Sequence, residues 1–153
     1  MIEHQGLIII GENLNATRKI KGASPRILKD GDKRGLGYTD LSGTTRVLDL
    51  TDAFPQDPKE HANAMIPYVG QCFRNKDLRY LETAVHSQLT AGAHIIDLCV
   101  DEMSPYPEQR MEWMRWVVTT VQGMTDAIVS IDSSDPLTIE AGLKVHDPRK
   151  GRP

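Results

Sequence analysis

Carboxylate, amide and hydroxyl side chains follow each of three short apolar runs in this sequence. Such groups can hydrogen-bond a small ligand, and a carboxylate can also act as a general acid or base. In parallel α/β folds, ligands bind at the carboxyl ends of the strands, where residues distant in sequence come together. The polar residues at the ends of the runs are Glu12, Asn13, Asn15, Asp97, Asp101, Glu102, Asp132, Ser133 and Ser134.

Asp132 is the first candidate for a binding residue. It follows the apolar run at residues 127–131, and a carboxylate at the end of a buried strand needs a hydrogen-bonding partner. The N–H groups of a flat heterocycle such as an aminopterin ring would supply one. The spacing is equally compatible with an Asp132 that caps the next loop or pairs with a basic side chain.

The other polar candidates also have structural interpretations. Asp97 lies among apolar neighbours, and it either contacts a ligand or faces inward and bonds to backbone or to Asn15. Asn15 contacts a substrate or fixes its own loop. Asp101 and Glu102 could form an acid pair, although a solvated loop or the cap of the next helix is the simpler interpretation.

The apolar runs themselves are typical of parallel strands that are buried on both faces. Residues 7–10, 95–100 and 127–131 are almost continuously apolar rather than alternating. The order of strands and helices predicts an α/β fold with a parallel sheet and helices outside it. Helical patterns occur in residues 77–91, in residues 107–123 and after the Asp135-Pro136 pair.

Residues 21–60 interrupt this repeat with a stretch rich in Gly, Asp, Lys and Pro. The composition predicts a long loop inserted after the first strand, and both a lid and a decorative insertion are compatible with it. A short hairpin is expected within the loop, built on Tyr38, Leu41, Val47, Leu48 and Leu50.

Composition narrows the class of protein. The chain has 153 residues and a net charge of -3, from 18 basic and 21 acidic residues. It therefore lacks the excess of positive charge that is typical of proteins that bind nucleic acid or an anionic membrane. Cys72 and Cys99 are lone thiols and are expected to be core residues of a cytoplasmic, soluble protein. The five histidines lack the spacing of metal ligands, so no metal site is expected.

Three motifs resemble those of pterin-binding enzymes of the methyltetrahydrofolate:corrinoid methyltransferase type. Residues 9–15, IIGENLN, are similar to the family's G-E-R-I-N pattern, with Asn13 in place of the arginine. Residues 91–98, AGAHIIDL, resemble G-A-x-x-[IL]-D-[ILV]. Residues 131–144, IDSSDPLTIEAGLK, resemble L-D-S-x-N-x-x-x-I-E-A-G-L-K, which is the most specific match.

This resemblance implies a (β/α)₈ TIM barrel, of which residues 1–153 would be the N-terminal part, with about three βα units and the inserted loop at 21–60. It implies that the full-length protein, a homodimer, binds methyltetrahydrofolate and passes the N5 methyl group to the cobalt of a separate corrinoid protein. It identifies no proton source for N5. The pterin-binding residues that it implies are Asp132, Asn15, Asp97, Glu12 and Ser133.

Two other functions remain open at this point. Dihydropteroate synthase shares the fold, but its N-x-T-P-D-S-F and G-G-x-S-T-R-P loops are replaced here by the different sequences at residues 15–19 and 100–105. A non-catalytic pterin-binding subunit would fit the short chain, with Trp113 and Trp116 packing against the barrel or docking a partner.

Overall fold

The computed structural model describes residues 6–153 as a mixed α/β protein. Short 3₁₀ turns connect several of its elements, among them the turn at Asp101–Met103. In chain order the strands and helices are β1 (Ile10–Asn15), β2 (Ile20–Lys21), β3 (Ile27–Asp30), β4 (Lys33–Thr39), β5 (Thr45–Asp49), β6 (Met65–Ile66), α1 (Tyr68–Asn75), α2 (Leu78–Thr90), β7 (Ile95–Cys99), α3 (Pro107–Gln122), β8 (Ile128–Asp132) and α4 (Pro136–Val145).

The main sheet has three parallel strands in the order β1-β7-β8. Helices α2, α3 and α4 pack on one of its faces, and the apolar side chains between sheet and helices are removed from water. This confirms the predicted parallel strands at 95–100 and 127–131 and the three predicted helices. The fully buried side chains of this layer include Leu14, Leu81, Val85, Ile96, Leu98, Met114, Val118, Val121 and Val129.

The first strand lies later in the chain than its apolar run predicted. Leu7, Ile8 and Ile9 precede β1 and are exposed, and Leu7 is 79% exposed. Pairing with β7 instead begins at Ile10, opposite Ile95, and continues to Asn15. Glu12, Asn13 and Asn15 therefore belong to the strand rather than to a loop that follows it.

An irregularity in β1 sets the direction of its polar side chains. The register with β7 shifts between Gly11 and Leu14. The side chain of Gln88, from α2, fills the space that this opens, and its Oε1 accepts a hydrogen bond of 2.9 Å from the backbone N–H of Asn13. A Cβ at Gly11 would lie 2.5 Å from the same oxygen, so a larger residue at this position would have to displace the buried Gln88 amide.

The predicted loop at residues 21–60 is instead largely folded. Strands β3, β4 and β5 form an antiparallel sheet, and β2 pairs with β6. The expected hairpin is present in β4 and β5, which contain Tyr38, Val47 and Leu48. Leu41 lies in the connecting turn and Leu50 directly after β5. This small sheet has its own buried side, formed by Leu36, Leu48 and Leu50. The prediction of a loop from composition overlooked this buried side.

Asp40 organises the turn between β4 and β5 and attaches it to α2. Its carboxylate accepts hydrogen bonds from the backbone N–H groups of Ser42 and Thr44, at 2.9 and 3.0 Å. It also accepts one of 2.9 Å from Nε of Arg46 and lies 3.4 Å from the guanidinium of Arg79 in α2. The hydroxyl of Ser42 and the guanidinium of Arg46 lower the pKa of Asp40 far below its ordinary value.

Helix α1 has no counterpart in the sequence-based prediction. Its buried residues include Val69, Cys72 and Phe73, whose spacing of three and four is the signal that would have revealed it. Phe73 contacts Trp116 of α3, with ring centroids 5.9 Å apart, and Trp116 contacts Trp113 at 5.7 Å. The two tryptophans therefore pack against the chain itself, as expected of helix packing. Among the described helices, none combines the length and apolar character that a membrane crossing requires.

We expect Asp40→Asn to lower the Tm markedly, because an amide cannot accept all the hydrogen bonds that the carboxylate accepts. Since folding lowers the pKa of Asp40, its contribution to stability is present above the unfolded pKa of about 4 and is lost as the pH falls below it. The Tm deficit of the variant, measured against pH by circular dichroism, should therefore shrink in acid. The exposed Asp30, on the same sheet, provides the matched control Asp30→Asn. Equal Tm values for the two variants at pH 7 would contradict this role.

Candidate functional site

The register of the parallel sheet places three polar side chains in one row. Asn15 lies opposite Cys99, and Cys99 lies opposite Asp132, at the carboxyl ends of β1, β7 and β8. Side chains alternate between the two faces of a strand, and Ile131 points to the helices, where its atoms approach Gly142 of α4. The row therefore lies on the face of the sheet turned away from α2, α3 and α4, here called the helix-free face.

Asp97 lies one row below, opposite Ser130 and also on the helix-free face. It is only 7% exposed. Burial raises the pKa of Asp97, and the carboxylates of Asp132 and Glu12 raise it further, while the hydroxyl of Ser130 opposes the shift by hydrogen bonding. The structure thus brings Asn15, Asp97 and Asp132 together, with Glu12 close enough to affect Asp97 electrostatically.

Asp132 and Asn15 keep polar atoms available in this arrangement. Asp132 is exposed, and no hydrogen bond or ion pair within residues 6–153 engages its carboxylate. The Asn15 Oδ1 accepts bonds of 2.9 and 2.7 Å from the N–H and the hydroxyl of Thr17, which shapes the turn after β1. The amide Nδ2 of Asn15 makes no such bond in the described part of the chain. The pair can therefore offer both an acceptor and a donor to a ligand.

Glu12 lies beside a second space. Together with Arg18, Gln88 and the backbone of Gly11 it lines a cleft of about 350 Å³ beside β1. The Arg18 side chain donates a hydrogen bond of 3.2 Å to the backbone carbonyl of Glu12. The row of Asn15, Cys99 and Asp132 does not line this cleft.

Ser133 and Ser134 are engaged by Asp101. The hydroxyl of Ser133 donates to Oδ1 of Asp101, while the N–H and the hydroxyl of Ser134 both donate to Oδ2 at 2.8 Å. The Ser133 hydroxyl thus binds Asp101 and stabilises the loop in this structure. Sequence reasoning did not anticipate this link between the ends of β7 and β8.

Asp101 and Glu102 do not act as a pair, and neither caps the next helix. Helix α3 begins after Tyr106 without a side-chain cap. Glu102 forms a largely exposed ion pair of 3.1 Å with Lys19. Burial of Asp101 would raise its pKa, but hydrogen bonds from Ser133 and Ser134 outweigh burial, so its pKa lies below the ordinary value.

Cys99 is the residue of the row that sequence reasoning assigned only to the core. It is buried, and burial raises its pKa to about 11, with further contributions from the carboxylates of Asp101 and Asp132. The thiol is thus neutral at physiological pH and a poor nucleophile. Its position two residues after Asp97 was the available signal, because strand residues two apart share a face.

The side chains of this site can bind a polar, planar ligand through hydrogen bonds, but none of those described is activated as a nucleophile. The hydrogen-bond acceptor of Asp132 and the donor of Asn15 lie at the carboxyl ends of the two outer strands. The buried carboxyl group of Asp97 and the thiol of Cys99 lie on the central strand, β7. Among residues 6–153, no group of three or more His, Cys, Asp or Glu side chains could hold a metal ion.

Two comparisons with known proteins each found a match to part of this chain. The model of a family described as pterin binding enzyme matches residues 70–149. A methylcorrinoid:tetrahydrofolate methyltransferase from Eubacterium limosum is 32% identical over 82 residues, which cover 54% of this chain and 29% of that protein. The chain thus spans well under two thirds of this relative. The family match includes Asp97, Asp132 and Ser133, whereas Glu12 and Asn15 precede it.

We expect Asp97→Asn to raise the Tm at pH 8. Folding raises the pKa of Asp97, so ionisation costs stability as the pH rises from the unfolded value of about 4 through the folded one. The isosteric amide carries no charge and still accepts a bond from Ser130. The gain should vanish near pH 3, where both side chains are neutral, and Asp32→Asn, at an exposed acid, should show no gain at either pH. A lower Tm of Asp97→Asn at pH 8 would oppose this account.

Proposed function

Because the chain belongs to the family of pterin-binding enzymes, we propose that it supplies the pterin-contacting strands of an enzyme that moves a methyl group between a folate and a corrinoid protein. The row formed by Asn15, Cys99 and Asp132 is the observation that carries this proposal. The name of the Eubacterium limosum relative supports it.

The chemistry of the row fits a reduced pterin ring. Such a ring presents an edge of N–H donors together with a carbonyl acceptor. The carboxylate of Asp132, which is not engaged within residues 6–153, accepts from the N–H edge, and Nδ2 of Asn15 donates to an acceptor. Charge-assisted hydrogen bonds of this kind are short and strong. Glu12 and Ser133, which the family resemblance also implies, have weaker geometric support, because Glu12 lines a separate cleft and Ser133 binds Asp101.

Asp97 contributes a second polar layer beneath the ring. Burial and the neighbouring carboxylates shift it toward its neutral form, in which the carboxyl group can donate a hydrogen bond. Cys99, between the two polar ends of the row, gives the ring an uncharged surface. These groups orient the folate and shield part of it from water, and orientation of this kind is a major component of catalysis in methyl transfer.

The complete catalytic unit would be a closed barrel. In the described residues the outer edges of β1 and β8 have no strand beside them in the parallel sheet. Ile10 is 51% exposed and lies in one row with Ile95 and Ile128 on the helix-free face. Further βα units, on this or another chain, would bury this apolar row and pair the strand edges. The inserted sheet at β3–β5 would then decorate the barrel beside its first strand.

The corrinoid is expected on a separate protein and would supply the cobalt that accepts or donates the methyl group. The Eubacterium limosum relative is named for transfer from the methylcorrinoid to tetrahydrofolate, whereas the motif resemblance implies transfer from methyltetrahydrofolate. The two are one reaction in opposite directions, and the same residues would bind the folate in both. The residues of this chain hold the pterin, and homodimerisation of the complete protein stays part of the proposal.

Replacing Asp132 by Asn tests the proposal. We expect methyltetrahydrofolate to bind the complete protein about 1.5–3 kcal/mol more weakly, or roughly ten- to a hundredfold, which is the contribution of a charged hydrogen bond. Isothermal titration calorimetry measures the change. The matched control is Asp126→Asn, which removes the same charge from an exposed residue just before the amino end of β8 and should leave the affinity unchanged.

Equal affinities of wild type and Asp132→Asn would remove Asp132 from the site. Turnover of a hydroxymethylpterin pyrophosphate with aminobenzoate, without methyl transfer to a corrinoid protein, would instead identify a dihydropteroate synthase. Binding of the pterin without either reaction would indicate a non-catalytic subunit.

A further inference from the structure

We propose that Asp101 is a positioning residue that holds Asp132 in place for its ligand, an inference that rests on the proposed function. Asp101 lies in the turn that follows β7, whereas Asp132 ends the neighbouring strand β8. Within residues 6–153, the hydrogen bonds that the Asp101 carboxylate accepts all come from the two residues that follow Asp132.

The Asp101 carboxylate uses both of its oxygens on the loop after β8. Oδ1 accepts from the hydroxyl of Ser133, and Oδ2 accepts from the N–H and the hydroxyl of Ser134 at 2.8 Å each. One of these bonds is to the backbone, so the carboxylate fixes the path of the chain as well as its side chains. An ionised carboxylate is the best acceptor for such a set.

The loop between β8 and α4 has few other restraints. Its far end is fixed by Asp135, whose carboxylate accepts from the N–H of Leu137 at 3.2 Å and from the hydroxyl of Thr138 at 2.7 Å. Arg110 of α3 adds an ion pair of 3.7 Å to Asp135. Between this cap and the end of the strand, Oγ of Ser133 accepts a bond of 3.1 Å from the N–H of Asp135. The long-range hydrogen bonds of Ser133 and Ser134 within residues 6–153 are those to Asp101. The direction of the exposed Asp132 side chain would thus depend on an acid in the turn that follows the neighbouring strand.

This role differs from direct binding and from general stabilisation. A residue that touched the ligand would contribute to binding whether or not Asp132 was present. A residue that only stabilised the fold would lower the Tm without changing the affinity of the folded protein. A positioning residue changes the affinity through Asp132 and loses its effect when the Asp132 carboxylate is removed.

The test is a double-mutant cycle on methyltetrahydrofolate binding by the complete protein. Asp101→Asn keeps the size of the side chain but leaves only one acceptor oxygen, and it should weaken binding about tenfold. In the Asp132→Asn background, the same change should alter the affinity less than about twofold. Glu102→Gln is the matched control, because it removes the adjacent, exposed charge, and it should leave binding within about twofold of wild type.

A second variant keeps the inference testable if Asp101→Asn folds poorly. Ser134→Ala removes one donor to Asp101 and preserves the backbone bond, so it should weaken binding in the same direction but less, again only when Asp132 is present. Hydrogen exchange of the Ser134 amide, followed by NMR, should be faster in Asp101→Asn than in Glu102→Gln, because its acceptor is weakened.

The outcomes separate this inference from the function on which it rests. A wild-type protein that binds no pterin would overturn the proposed function. A wild type that binds, together with unchanged affinity in Asp101→Asn and Ser134→Ala, would overturn the positioning role alone. An equal loss of affinity in both Asp132 backgrounds would also overturn it, because the effect would then not pass through Asp132.

Discussion

The parallel register of β1, β7 and β8 is the constraint on which the rest of the candidate site depends. It aligns Asn15, Cys99 and Asp132 across three strands although these residues are far apart in the chain. Because side chains alternate along a strand, a slip of one residue would turn every member of the row toward the helices. Apolar residues such as Ile96, Leu98 and Val129 fill the opposite face, so the hydrophobic layer that stabilises the fold also determines which polar groups meet.

Side-chain hydrogen bonds refine this arrangement where the backbone departs from regular pairing. Gln88 satisfies the N–H of Asn13 at the irregularity in β1, and Asp101 satisfies donors of Ser133 and Ser134 after β8. In each case a side chain from a neighbouring element takes the place of a backbone partner. These bonds restrain the geometry of the strand and of the loop near the site.

The sequence predicted the repeating architecture well, since continuous apolar runs and helical spacing are local signals. It misplaced the first strand because the run at residues 7–10 is as apolar as a buried strand, whereas pairing with β7 selects the residues from Ile10 onward. The β3–β5 sheet was interpreted as a loop because its Gly and Asp residues mask the alternation in β4. The Asp101 contacts follow from the packing of two strand ends, and no pattern around residue 101 encodes them. The position of Cys99 on the site row, by contrast, could have been predicted from the alternation of side chains along a strand, because Cys99 lies two residues after Asp97.

The β3–β5 sheet also affects how this chain can fold. Strand β1 must pair with a strand that begins some 85 residues later, as the contact between Ile9 and His94 shows. Closing so long a connection has an entropic cost that grows with the length of flexible chain. Strands β3, β4 and β5 pair with their neighbours in sequence, and such local hairpins form faster than distant pairs. An early-formed β3–β5 sheet, docked on α2 through Tyr38 and Tyr80, would shorten the flexible connection that remains. The β3–β5 sheet would then help the strand that carries Asn15 to find its partner during folding.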